Sequence, residues 1–136
     1  MGAAECGGVL AAGGRGLSTA ELLPPAALLQ PGGGGWRAVA GLSTVRAYSA
    51  GATFGGRFAV FGGIRTTGSG SPDGDPKESC EAYDERADRW LPLPPLPAGG
   101  RCMSAAAVLD GGSVALCGGN ALLVDAAVCP AGSRLL

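Results

Sequence analysis

The groups available for chemistry are few. The 136 residues include no histidine. No Ser-His-Asp or Cys-His relay can therefore be assembled, nor any site with an imidazole ligand. Asp73, Asp75 and Glu78 are acids close in sequence that could offer oxygen ligands to calcium. They miss the spacing of an EF-hand, and Pro72 and Pro76 restrict the wrapping such a loop needs. Val9-Leu10-Ala11-Ala12 followed by Gly14-x-Gly16 could open the strand–turn–helix of a dinucleotide site, the one trace of a nucleotide-binding enzyme fragment. Thr19 stands where the third glycine belongs, and no helix–strand alternation follows. Cys6, Cys80, Cys102, Cys117 and Cys129 are odd in number and form no Cys-x-x-Cys pair. Most lie in apolar segments, where cysteine acts as a small hydrophobe. No complete catalytic, metal-binding or cofactor-binding motif is present, so no catalytic residue, metal or cofactor is expected.

Whatever positions these residues must be found in a glycine-rich chain. Glycine (26) and proline (10) make up about a quarter of it, a level that signals low complexity unless a period underlies it. The net charge is −1, with 10 basic and 11 acidic residues and no block of like charge. That recommends neither nucleic acid nor an anionic membrane as a partner. No run of about 18 apolar residues suggests a membrane helix. The N-terminus lacks the basic start of a secretory signal. Its Met1-Gly2 start has Cys6 where a myristoylation signal has Ser or Thr. Reduced cysteines suggest a cytoplasmic protein, with the nucleus also open.

A period does exist. Val9-Leu10-Ala11-Ala12-Gly13-Gly14, Phe58-Ala59-Val60-Phe61-Gly62-Gly63 and Val114-Ala115-Leu116-Cys117-Gly118-Gly119 are apolar runs closed by a glycine pair. Gly13 to Gly62 is 49 residues, and Gly62 to Gly118 is 56. Trp36 and Trp90 are 54 apart, and Arg46 and Arg101 are 55 apart. Each arginine leads into a run of small and apolar residues and then a Gly-Gly or Asp-Gly-Gly turn, a strong hairpin signal. Tyr83-Asp84 follows the second glycine pair, with Trp90 seven residues after the tyrosine.

This combination resembles the kelch repeat, whose units are about 50 residues long. The resemblance implies an all-β fold: a partial kelch-type β-propeller built of four-stranded antiparallel blades. One blade would be complete (residues 46–93) and two incomplete (1–42 and 102–136). In the complete blade the strands are expected at 47–54, 57–61, 80–83 and 90–93. In the first, strands are expected at 9–12 and 36–40, with the third at either 19–23 or 26–29. The latter sets Leu29 seven residues before Trp36. In the last, 104–109 and 113–117 are expected strands and 121–128 a possible third, with Leu136 where a tryptophan would fall. Trp36 and Trp90 suit the wedge between blades. Arg46 and Arg101 are expected to bind backbone carbonyls or a neighbouring carboxylate. The glycine pairs mark close backbone approach.

The resemblance further implies a non-enzymatic protein-interaction module. An alternative is the substrate-recognition part of a ubiquitin-ligase adaptor, which would need a BTB or F-box domain. Copper-oxidase relatives require histidine and are excluded. The polar loop 64–78 is the candidate partner surface, through Arg65, Thr66, Asp73, Asp75 and Lys77. The competing reading makes it a tolerated insertion without fixed structure. Pro92, Pro94, Pro95 and Pro97 suit an outer edge and exit, with a poly-proline ligand as the alternative. With so few blades, the chain is expected to be a fragment of a longer propeller, with self-association or missing blades supplied in trans as the alternative, and an isolated copy is expected to be marginal.

Overall fold

The computed structural model describes residues 2–3, 8–24, 35–67, 69–110, 112–120 and 134–135. Among them there is no helix, and therefore none long and apolar enough to cross a membrane. Eleven strands form three antiparallel sheets. The first contains β1 (Gly2–Ala3), β2 (Val9–Gly14), β3 (Leu17–Leu23) and β4 (Arg37–Val39), in that order. The second contains β5 (Ala50–Phe54), β6 (Arg57–Phe61), β7 (Cys80–Asp84) and β8 (Arg89–Leu93). In the third, β10 (Val114–Cys117) lies between β9 (Ala105–Val108) and β11 (Arg134–Leu135).

Alternation along β6 and β7 explains how the sheets stack. Successive side chains of a strand point to opposite faces. Phe58, Val60 and Tyr83 face the first sheet and pack with Leu10, Leu22 and Leu42. Ala59, Phe61, Cys80 and Ala82 face the third and pack with Leu96, Val114 and Leu116. The second sheet is thus covered on both faces, so its strands are apolar on both faces rather than alternating apolar and polar. Burying a side chain such as Phe61 or Leu116 contributes roughly 1.5–3 kcal/mol. The first strands of the three sheets are neighbours: β5 contacts β1 on one side and β9 on the other.

The expected unit at 46–93 forms one four-stranded sheet, but its first strand starts at Ala50, not at 47. Ala47 makes an isolated bridge to Ile64, and Tyr48 has φ of 56°. The same break recurs one repeat later, where Cys102 bridges Asn120 and Met103 has φ of 59°. In both places the preceding arginine carbonyl is turned toward a neighbouring sheet, and the chain must bend before the strand can begin.

The first region also forms four strands, which the repeat spacing did not anticipate. Its third strand is β3, the earlier of the two candidates. Arg15-Gly16 closes a tight turn directly after the glycine pair, where the second sheet inserts a long loop. Segment 26–29 lies outside the described residues, as do 121–128 and Leu136. The register Leu22↔Arg37, carried one step further, sets Leu23 opposite Trp36, just as Tyr83 is opposite Trp90. The two tryptophans therefore occupy equivalent positions despite the different loop lengths.

Gly62 is the tightest point of the second sheet. Its φ is 63°, and a Cβ there would collide with the Arg101 carbonyl. Gly62→Ala is expected to destabilise the chain by on the order of 2 kcal/mol or more. Gly74 also has positive φ but open space around it, so Gly74→Ala should cost only about 1 kcal/mol. Urea denaturation of the two variants measures the difference.

Candidate functional site

Arg46 is the most heavily engaged side chain among the described residues, and its side chain is 0% exposed. Its Nε donates to Glu81 Oε2 at 3.0 Å. Nη1 donates to the carbonyls of Gly62 and Ser79, each at 2.8 Å, and Nη2 to Ser79 Oγ at 2.7 Å. The other oxygen of Glu81 accepts the Ser43 N–H at 3.0 Å. One guanidinium thus ties the end of β6, the start of β7 and the segment joining the first two sheets. Its planar fork suits this, where a lysine would offer a single point of charge.

The arginine backbone forms the second half of the device. The Gly14 N–H donates to the Arg46 carbonyl at 2.7 Å, and the Gly63 N–H to the Arg101 carbonyl at 2.9 Å. Arg101 repeats the side-chain contact by donating from Nη1 to the Gly118 carbonyl at 3.4 Å. Each arginine therefore closes the glycine pair of its own sheet with its side chain. With its carbonyl it closes the pair of the sheet before. A Cβ on Gly13 would stand 2.6 Å from the Arg46 carbonyl, and one on Gly119 would collide with the Cys102 carbonyl. The close approach thus falls on Gly13 in the first pair and on Gly119 in the third.

A second clamp lies at the far edge of the same sheet junction. Trp90 Nε1 donates to the Ala40 carbonyl at 2.7 Å, and the Ala40 N–H donates to Asp88 Oδ1 at 2.8 Å. The Tyr83 hydroxyl donates to the same Asp88 oxygen at 2.8 Å. Trp90 packs edge-on against Phe58 and tilted against Tyr83. The Ala40 and Tyr83 hydrogen bonds hold the Asp88 carboxyl below the ordinary carboxylate range. Burial, and then the bond to Asp88, push the Tyr83 phenol up. Asp84 has a local role: its Oδ1 accepts the Ala87 N–H at 3.3 Å.

The loop 64–78 is built rather than loose. Thr67 donates its N–H to Ser71, Asp73 to Arg65 and Lys77 to Gly63. Thr66 is buried, and its hydroxyl accepts the Gly16 N–H of the first sheet at 2.9 Å. It anchors the loop from within, its hydroxyl serving an otherwise unpaired turn N–H. Arg65 and Asp73 form an exposed ion pair at 3.3 Å. Asp75 is exposed and Lys77 half-buried. Among the described residues no group of acids and cysteines is arranged to hold a metal ion. Cys80 and Cys102 are buried and Cys117 is exposed, all three as free thiols. Burial pushes the Cys80 and Cys102 thiols up. Cys6 and Cys129 lie outside the described residues.

Sequence reasoning singled out Arg46, Trp90 and the glycine pairs but missed Ser79, Glu81 and Asp88. Glu81 had a visible signal. It is a charge within the apolar run Cys80-Glu81-Ala82-Tyr83, and a buried charge requires a partner.

The chain matches no protein-family model and no curated protein. Among solved structures, 117 chains match it. One is the structure of YjhT, with a TM-score of 0.60 and 22% identity, over 75% of this chain and 28% of that one. The chain thus spans little more than a quarter of that protein's length, and the likeness is one of fold.

Removing one partner of a buried ion pair strands the other charge. Glu81→Leu is expected to cost about 3–5 kcal/mol, whereas Asp73→Ala, which breaks an exposed pair, should cost under about 1 kcal/mol. Chemical denaturation separates the two.

The folded-state pKa of Asp88 lies below its unfolded value, which is near 3.9. Its stabilising contribution is therefore present above that value and is lost as pH falls through the folded one. The stability gap between wild type and Asp88→Asn should narrow as pH is lowered from 7 to roughly 3. Melting temperatures of both across that range check this.

Proposed function

We propose that this chain is part of a kelch-type β-propeller and serves as a non-enzymatic protein-interaction module. The observation that carries this reading is the repeated junction, in which an arginine closes its own sheet's glycine pair and that of the sheet before. A junction repeated at 55 residues suits a radial array of like sheets, with β1, β5 and β9 as neighbouring inner strands. Stacking each sheet face to face with the next is how such arrays bury a continuous core. The free thiols favour a reducing compartment, cytoplasmic or nuclear.

The partner surface in this reading is the end of the array that bears the glycine pairs and loop 64–78. Arg65, Asp73 and Asp75 are exposed there on a loop held by its own hydrogen bonds. A rigid loop loses little entropy on binding. Tyr48 and Met103, both exposed, sit at the starts of their inner strands at the same end.

Affinity capture with the tagged chain from cells, quantified by mass spectrometry, tests this. A variant carrying Arg65→Ala, Asp73→Ala and Asp75→Ala should keep the wild-type melting curve and lose specific partners at least tenfold. An identical set of partners for both proteins would reject the loop as the surface. A wild-type set no richer than that of an unrelated control protein would reject the interaction role.

A further inference from the structure

Ser71 is the one serine or threonine of the chain that directly precedes a proline. Pro72 biases Ser71 toward extended backbone, and residues 71–75 are exposed throughout. Thr66 bridges Pro72 across the loop, which sets Thr67 opposite Ser71 and Arg65 opposite Asp73. Side chains alternate along such a pairing. Thr66 turns inward to the Gly16 N–H. Arg65, Thr67, Ser71 and Asp73 therefore share the outward face, and all four are exposed. The hydroxyls of Thr67 and Ser69 bond to each other at 2.9 Å. Among the described residues the Ser71 hydroxyl bonds to nothing.

Two arginines flank this hydroxyl. Arg65 lies diagonally across from Ser71 on the same face, a separation of about 7–8 Å that a long side chain covers. Its pair with Asp73 is exposed and 3.3 Å long, and such pairs contribute little. Arg15, from the turn between β2 and β3, lies against Gly70. Its Cδ, Nε and Cζ stand 2.8, 2.9 and 3.0 Å from where a Gly70 Cβ would be. Arg15 is exposed, and among the described residues no carboxylate pairs with it. One cation of the loop and one of the neighbouring sheet thus stand beside an exposed acceptor hydroxyl.

We propose that Ser71 is a phosphorylation site for a proline-directed kinase, and that Arg15 and Arg65 receive the phosphate. Ser71 Oγ attacks the γ-phosphorus of the kinase's ATP, the bond to the β-phosphate oxygen breaks, and ADP leaves. The hydroxyl proton passes to the kinase's aspartate. The product carries a charge of about −1.5 to −2 and three acceptor oxygens. It competes with the single charge of Asp73 for Arg65, and paired guanidinium–phosphate bonds draw Arg15 onto the loop. The loop is then tied to the first sheet by Arg15 as well as by Thr66. The site stands on the geometry of the loop and not on the interaction reading, so either can fail alone.

The test is incubation of the full chain with ATP and a purified kinase of the mitogen-activated class, with the product mapped by mass spectrometry. One phosphate on Ser71 is expected, and none on that tryptic peptide of Ser71→Ala. Phosphorus NMR then titrates the product. A phosphoserine free in solution loses its second proton near about pH 6. Guanidinium groups beside it favour the dianion, so the wild-type value should fall to about 5.5 or lower. Arg15→Ala and Arg65→Ala should each return it toward about 6. Both arginines are exposed, so both variants should keep the wild-type circular dichroism spectrum. Absence of phosphate from Ser71 would overturn the site. A phosphate that titrates near 6 in the wild type, or identically in the wild type and both variants, would overturn the arginine clamp.

Discussion

A buried guanidinium is costly unless acceptors meet most of its donors. Desolvating a charge costs several kcal/mol, and that cost is recovered only when hydrogen bonds of good geometry surround it. Arg46 meets this demand with acceptors from β6, β7 and the loop before β7, and with a carboxylate that is itself held by Ser43. The rest of the second sheet follows from that requirement. Ser79 must lie beside Gly62, which fixes where β7 begins. Glu81 must face the first sheet, which sets the parity of the strand and sends Cys80 and Ala82 to the opposite core. Gly62 must lack a side chain because the Arg101 carbonyl presses against it, and Gly63 because Ala47 and Ser49 do.

How much of this is legible in the sequence differs from element to element. The glycine pairs, arginines and tryptophans were readable because they are rare or recur in phase. The strands between them followed from apolar runs and hairpin turns, and β6, β7 and β8 lie close to where those signals place them. Loop lengths were not readable in the same way. A spacing rule carried from one unit to the next makes Leu29 the partner position of Trp36. The register assigns that place to Leu23, because the two units put their long loop in different positions. The start of β5 was misjudged because small apolar residues continue back to Ala47, and nothing in their types reveals the bend at Tyr48.

Polar partners were the least legible. Composition marks loop 64–78 as flexible and polar, and its Gly, Ser, Pro and Asp content is that of a mobile segment. The order it has arises from backbone bonds, which leave no trace in residue type. Thr66 shows the limit well. As a polar residue in a polar loop it reads as surface, yet it is buried under the Gly16 N–H of another sheet. Glu81 and Asp88 act across 35 and 48 residues of sequence, and without a three-dimensional frame neither has a visible partner.

The direction of the junction has a consequence for how the chain is made. The glycine pairs of the first two sheets are finished by the carbonyl of an arginine that comes later, Arg46 for the first sheet and Arg101 for the second. On a ribosome the N-terminal end emerges first. The first sheet therefore stays incomplete until residue 46 has cleared the exit, and the second until residue 101. For these two sheets folding trails translation by one unit, and the sheet most recently made is the one with an open seam. A pause in synthesis before that arginine has left the exit would prolong the exposure of the seam, and a pause after it has emerged would let the seam close.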